Sequence, residues 1–286
     1  MKKSDKKIGI IGHGFVGKAT DWGFKKNVEK FIVDPNYKTT IDQLADFNPD
    51  VVFICVPTPM RNDGGQNYEI LQETVYELNN KCSNTIKVIK STVLPSVLEK
   101  LEKNCTNIVY NPEFLREKSA NYDFENSEML IFGGQKSLSK KVSKIYKEYS
   151  VCKTEKHVFC DIKTASFIKY AINTFLASKV TFFNELHEIF IKMNVKDDWT
   201  DAIESISTDS RIGSSHMNVP GHDGKKGFGG ACFPKDTIAF VKFATENNVD
   251  LDILKRVIEK NNMIRSQYSN LDPREVEQNI SFSDKI

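Results

Sequence analysis

Gly12-His13-Gly14-Phe15-Val16-Gly17 stands between a short apolar run, Lys7-Ile8-Gly9-Ile10-Ile11, and a helix-periodic stretch that continues to Phe24. No other stretch restricts the fold so tightly. Gly12 permits a tight turn out of a strand, Gly14 lets a pyrophosphate approach the helix N-terminus, and Gly17 allows the helix to pack closely on a sheet. Phe15 and Val16 begin that helix and belong to the same cofactor-binding turn. A second strand follows, Phe31-Ile32-Val33, and it ends in Asp34. An acid there accepts hydrogen bonds from the adenosine ribose hydroxyls and repels the extra phosphate of NADP, so the cofactor expected is NAD. A glycine turn in a merely structural βαβ unit is the bland alternative. The second strand and its terminal acid weigh against it.

Alternation continues along the chain. Further strands are expected at 50–56, 86–89, 107–110, 129–132 and 157–159, with helices at 68–78, from Pro95, and at 138–149. This order predicts an α/β fold, a parallel sheet with helices on both faces. Ligands bind such sheets at the carboxyl ends of the strands, and Thr58, Thr92 and Glu113 all follow strands. From Asp161 to about Met193 neither proline nor glycine occurs, and apolar residues recur at helical spacing. A helix of about 30 residues would span roughly 45 Å, a length that suits a beam between domains or a dimer core. Two domains are therefore expected: 1–160, a Rossmann-type dinucleotide-binding domain, and 161–286, an all-helical domain reached through the long connecting helix. Lys169 and Asn173 are four apart and share one face of that helix. Their apolar neighbours favour a functional pair over a surface lysine beside a polar residue. Helices should follow at 197–207, 235–247 and 251–268, and then a loosely held polar tail over 271–286.

Composition removes several classes. Lys and Arg number 40 against 38 Asp and Glu, a net charge of +2, which gives no reason to expect nucleic acid or an anionic membrane as partner. The six cysteines show no CxxC spacing and the five histidines no HxxxH or HxH, so reduced thiols and no metal site are expected. No apolar run approaches the roughly 18 residues of a membrane span, and the Lys-rich start lacks a signal peptide's apolar core. A cytoplasmic protein is expected.

Gly227-Phe228-Gly229-Gly230-Ala231-Cys232-Phe233-Pro234-Lys235-Asp236 brings the chemistry. Its glycines can take positive φ and approach a ligand, and Pro234 suits the first turn of a helix. Cys232 then sits where loop becomes helix, beside Lys235, where a thiolate is favoured and can act as a covalent nucleophile. A buried, inert cysteine is the competing reading. The flanking glycines and the Lys-Asp pair argue against it.

Together with Val56-Pro57-Thr58-Pro59, Ser91-Thr92-Val93, Asn111-Pro112-Glu113-Phe114-Leu115-Arg116-Glu117 and Asp209-Ser210-Arg211-Ile212-Gly213, these stretches resemble the UDP-glucose/GDP-mannose dehydrogenase family over nearly the whole chain. The resemblance implies an NAD-dependent, four-electron oxidation of a sugar C6 alcohol to a carboxylate, with UDP-glucose as the nucleotide sugar first expected. By match with the family, Cys232 is the nucleophile and Lys169 with Asn173 steadies the developing oxyanion. Asp236 and Thr92 match groups that hold and activate a water, and Glu113 a carboxylate of the hydrolytic step. Thr58, Thr92, Glu117 and Lys235 match cofactor contacts. Glu113, Phe114, Leu115, Arg116, Glu117, Lys169, Asn173, Arg211 and Gly229 match substrate contacts. A homo-oligomer, a dimer or larger, is implied as well.

Two departures accompany the resemblance. Family members usually carry a third, nucleotide-gripping domain, and the chain reads as a short form without it. The loop over 214–226 is lengthened. A UDP-N-acetylhexosamine or GDP-mannose substrate, or a catalytically degenerate NAD-binding partner protein, are the alternatives. A one-step β-hydroxyacid dehydrogenase would share the two-domain plan and a helix lysine but would not need the cysteine.

Overall fold

The computed structural model describes residues 6–282. Seven strands form its sheet: β1 (Lys6–Ile11), β2 (Val28–Val33), β3 (Val51–Ile54), β4 (Ile86–Ile89), β5 (Ile108–Tyr110), β6 (Leu130–Gly134) and β7 (His157–Cys160). Their spatial order is β2-β1-β3-β4-β5-β6-β7. Side chains alternate between faces along each strand. In β3, Val51 and Phe53 join one core while Val52 and Ile54 join the other, all four fully buried. That double burial explains why the strand reads as an unbroken apolar run.

Helices cover both faces. On one face, with Phe24, lie α1 (Phe15–Gly23), through Trp22, and α5 (Ala120–Glu125) and α6 (Lys136–Tyr149), through Phe124, Val142 and Tyr146. On the other lie α2 (Ile41–Phe47), α3 (Glu69–Lys81), α4 (Pro95–Asn104) and the start of α7 (Ile162–Lys192), through Leu44, Leu71, Leu98 and Ala165. The lysines of α6 stay outside, as a solvated face, while Leu138, Val142, Ile145 and Tyr149 turn inward.

The expected all-parallel sheet needs one correction. β1 to β5 are parallel, but β6 runs antiparallel to β5, and β7 is parallel to β6. A parallel neighbour requires a crossover that carries the chain back to the opposite edge, ordinarily on a substantial helix. The connection leaving β5 is an extended loop followed by the six residues of α5, and the chain rejoins the sheet reversed. The fourteen-residue α6 then supplies a full crossover between β6 and β7.

α7 runs for 31 residues, as the absence of proline and glycine predicts. It is followed by α8 (Trp199–Ser207), α9 (Phe233–Glu246), α10 (Asp252–Arg265) and α11 (Pro273–Glu277). The chain separates into two compact units: one holds residues up to Thr58 with Asn67–Lys169, the other Pro59–Gln66 with everything from Tyr170 onward. The division is therefore not a single cut. Pro59–Gln66 belongs with the helices because the Met60 amide donates to Gln278 O at 3.0 Å and Lys242 pairs with Asp63 at 2.6 Å. In the second unit Phe183, Ile203 and Met217 form one small core, and Val241, Leu254 and Ile258 another.

The expected loose tail is also corrected, as far as residue 282. Asp272 and Glu275 form a capping box at α11, Glu275 is fully buried against Arg265, and Ile280 is buried too. The polar residues that suggested solvent are there to meet buried partners. Residues 283–286 lie outside the described residues. Among the described residues no helix is long and apolar enough to cross a membrane.

Candidate functional site

In the first unit the glycine turn closes between β1 and α1. Gly12 has φ +83°, and its amide donates to Val33 O at 2.9 Å. A Cβ on Gly17 would lie 1.9 Å from the Gly12 carbonyl oxygen, so the helix can start here only on glycine. A Cβ on Gly14 would meet nothing within 4 Å. That open space lies at a helix start which, among the described residues, no side chain caps. Helix N-terminal amides beside open space suit the pyrophosphate of a dinucleotide. Asp34 accepts from the His13 amide at 2.7 Å and the Asn36 amide at 2.9 Å. Burial opposes its ionisation, but those amides outweigh burial and hold the carboxyl below its ordinary range. It therefore presents a fixed negative charge at the end of β2.

Past the carboxyl ends of β3 and β4, Thr58 donates to Thr92 O at 3.1 Å and Ser91 to Val56 O at 2.6 Å, which joins the two loops. Beneath them lies a buried lysine that the sequence reading did not single out. Lys90 donates to Asn111 Oδ1 at 2.9 Å and to the Tyr146 hydroxyl at 3.1 Å, and burial lowers its pKa. The network holds the start of the loop that carries Glu113. Lys169 Nζ donates to the Glu113 carbonyl at 2.5 Å, lies 3.6 Å from the Glu113 carboxylate and 4.9 Å from the Phe114 ring centre. Thr58 with Thr92, and Lys169 with Glu113 and Phe114, are thus brought together. Leu115 donates its amide to the Glu113 carboxylate at 2.5 Å. Arg116 and Glu117 are exposed, and the Arg116 guanidinium grips Asp123 at 2.6 Å.

In the second unit Cys232 is the N-cap of α9, with Pro234 in the first turn, the place the sequence predicts. Its carbonyl accepts the Asp236 amide at 2.9 Å. Asp236 is fully buried, and its carboxylate accepts from Asn173 at 2.7 Å, Lys235 at 2.5 Å and Gln66 at 3.3 Å. Gln66 in turn accepts from the Tyr170 hydroxyl at 2.5 Å. A buried carboxylate with several donors is fixed in place, since losing any donor leaves uncompensated polarity in a low dielectric. Lys235, expected at the cofactor and substrate, is itself buried on Asp236. The Arg211 guanidinium is exposed and held by Asp209 at 2.6 Å.

The glycine loop before Cys232 is braced from within the unit. Gly227 and Gly230 have φ of +75° and +76°. Asn184 accepts the Gly227 amide at 3.0 Å, and Asn261 accepts the Phe228 amide at 2.6 Å and donates to its carbonyl at 3.0 Å. A Cβ on Gly229 would lie 2.1 Å from Arg265 Nη2 and 2.4 Å from Glu275 Oε1, so a side chain here would have to displace that pair. Gln66, Tyr170, Asn184, Asn261, Arg265 and Glu275 were not foreseen. A signal existed for two of them: Asn261 and Arg265 continue the core-facing helical spacing of Leu254 and Ile258, where an apolar residue would be ordinary.

A dinucleotide-binding α/β unit followed by helices is the plan of the NAD-binding dehydrogenase folds. Residues 23–150 match the NAD binding domain of the UDP-glucose/GDP-mannose dehydrogenase family, and residues 163–263 match its central domain. The chain belongs to that family. It is 34% identical over 226 residues to the UDP-glucose 6-dehydrogenase of Rickettsia conorii, across 75% of this chain and 49% of that protein. To the UDP-glucose 6-dehydrogenase YwqF of Bacillus subtilis it is 32% identical over 239 residues, 79% of this chain and 51% of the relative. The chain thus spans about half the length of these relatives. The solved UDP-glucose dehydrogenase of the archaeon Pyrobaculum islandicum shares the fold, with a TM-score of 0.78 at 24% identity over 92% of this chain and 69% of that one.

Proposed function

We propose that the protein is an NAD-dependent nucleotide-sugar 6-dehydrogenase that oxidises UDP-glucose to UDP-glucuronate in two steps. The observation that carries this reading is Cys232 at the start of α9, one turn from a buried carboxylate held by Asn173, Lys235 and Gln66. The turn at Gly12, Gly14 and Gly17, with Asp34, is the proposed seat of NAD, which when bound accepts hydride from C6. The remaining work falls to side chains. Once C6 is an aldehyde, the Cys232 thiolate adds to its carbon, and the C–S bond leaves an alkoxide. A carbonyl has no hydride to give until such an addition restores an sp³ C–H. The role proposed for Lys169 and Asn173, one turn apart on α7, is to donate hydrogen bonds to that oxyanion. Loss of the C–H hydride, for which a second NAD would be the acceptor, would yield a thioester on Cys232. Water attacks the thioester carbonyl, the C–S bond breaks, and thiolate, carboxylate and the two protons of the water are released. Asp236 and Thr92 are the proposed holders of the water and Glu113 the carboxylate that assists. Identity to relatives named UDP-glucose 6-dehydrogenase supports this substrate over UDP-N-acetylhexosamine and GDP-mannose.

The test is stoichiometric. With a panel of nucleotide sugars, UDP-glucose should give two NADH and one carboxylate per sugar, with no free aldehyde. Cys232→Ala should abolish turnover while NAD still binds, and Cys232→Ser should be nearly as inactive, because a hydroxyl is the far weaker nucleophile. One NADH per substrate, or an alanine variant that still makes two, would sink the covalent route.

A further inference from the structure

We infer that Glu275, on the short C-terminal helix α11, is a positioning residue for Cys232, acting through the amide of Gly230. The inference rests on the reading of Cys232 as nucleophile. Its basis is a single connected set of contacts inside the second unit. Glu275 is fully buried, and its Oε1 accepts from the Gly230 amide at 3.0 Å and from Arg265 Nη2 at 2.8 Å. Its Oε2 accepts the Asp272 amide at 2.9 Å, and its own amide donates to Asp272 Oδ1 at 2.8 Å, so α11 holds the carboxylate rigidly. Arg265 is buried as well and donates to Asp223 Oδ2 at 2.6 Å through its other terminal nitrogen. One guanidinium therefore ties the loop before the cysteine motif to the carboxylate that grips the motif.

Gly230 precedes Cys232 by two residues and has φ +76°, a conformation that glycine adopts freely and must be held to keep. Among the described hydrogen bonds, the one from Gly230 N to Glu275 is what fixes this peptide plane. On the far side of α11, Gln278 O accepts the Met60 amide at 3.0 Å and Asn279 donates to Met60 O at 3.3 Å. Met60 begins the stretch that delivers Gln66 to Asp236. The same segment thus braces the approach to the nucleophile and the approach to its neighbouring carboxylate. α11 lies beyond the span that matches the family's central domain, which ends at residue 263.

The experiment compares Glu275→Met, Glu275→Gln and the double variant Arg265→Met/Glu275→Met. Gln keeps an acceptor for Gly230, whereas Met keeps volume and removes it. The double variant leaves no buried unpaired guanidinium and so guards against simple misfolding. Glu275→Met and the double variant should lower kcat about a hundredfold, the scale of an ångström's misplacement of a reacting group. NAD affinity, set by the glycine turn, should stay at the wild-type value, and Glu275→Gln should restore most of kcat. A second arm needs no substrate: the pH profile of Cys232 alkylation by iodoacetamide, read by mass spectrometry per folded molecule. Both methionine variants should move its inflection upward, because the thiol leaves the start of α9. Burial pushes the thiol of Cys55 up to about 11 and raises those of Cys82, Cys105, Cys152 and Cys160, and the peptide masses assign the label to Cys232. Wild-type alkylation in both methionine variants, or a kcat that falls only with the folded fraction, would overturn the inference. Failure of the wild type on every nucleotide sugar would instead count against the proposed function, and the alkylation arm would still judge the positioning role.

Discussion

Asp34 holds local structure together, and we propose that it sets cofactor choice as well. Its carboxylate accepts two backbone amides, from His13 in the glycine turn and from Asn36 in the short 3-10 turn that Asp34 caps, and remains ionised. On that proposal a 2′-phosphate would meet its charge directly. Asp34→Ala should narrow the ratio of NADP to NAD dissociation constants by at least about tenfold, or about 1.4 kcal/mol. Titrating both cofactors into wild type and variant measures it, and equal wild-type affinity for the two would end the argument. Asp34 was legible because strand, turn and acid lie within one short stretch. Gln66 was not: it reaches Asp236 across 170 residues of sequence, and nothing around it hints at a buried role. Lys90 was hidden for a related reason. A lysine at the end of an apolar strand reads as a solvent-facing boundary, yet it finds Asn111 and Tyr146 in the interior.

At the scale of elements, α1 offers the sharpest test of the turn. Gly17→Ala would drive a methyl into the Gly12 carbonyl, whereas Gly14→Ala would meet open space. Gly17→Ala should cost about 1–3 kcal/mol of stability, as overpacking does, and abolish NAD binding. Gly14→Ala should melt like wild type but bind NAD weakly, because its methyl occupies the room left for phosphate. Thermal melts with NAD titrations separate the two, and a Gly17→Ala protein of wild-type stability would contradict the close approach. The length of α7 was legible because proline and glycine are the usual helix breakers. The direction of β6 was not. Strand periodicity reports which side chains face a core, and it is the same for a strand running either way.

For the whole molecule, we propose a homo-oligomer assembled on α7. Phe167, Phe175, Phe182 and Ile189 recur along this helix at a spacing of seven or eight residues, each more than half exposed. A repeated apolar stripe of this kind on a helix is characteristic of an interface. Sedimentation velocity should show a dimer or larger species, and Phe175→Glu with Phe182→Glu should shift it to monomer. An active wild-type monomer at working concentration would rule the proposal out.

The amino-acid sequence by itself determined what short-range sterics and periodicity encode. The glycine turn and its terminal acid, the alternation of strands and helices, the uninterrupted run of α7, and the placing of Cys232 at the start of α9 are all of this kind. Each depends on neighbours within a few residues, whose allowed backbone conformations and faces follow from residue type. Only the tertiary structure decided that β6 runs backwards, that Pro59–Gln66 joins the helical unit, and that Glu275 grips the loop before Cys232. A backbone amide will bond to any well-placed acceptor on any segment. The choice of Glu275 for Gly230 therefore leaves no local mark, and it emerges only when burial forces every polar group to find a partner.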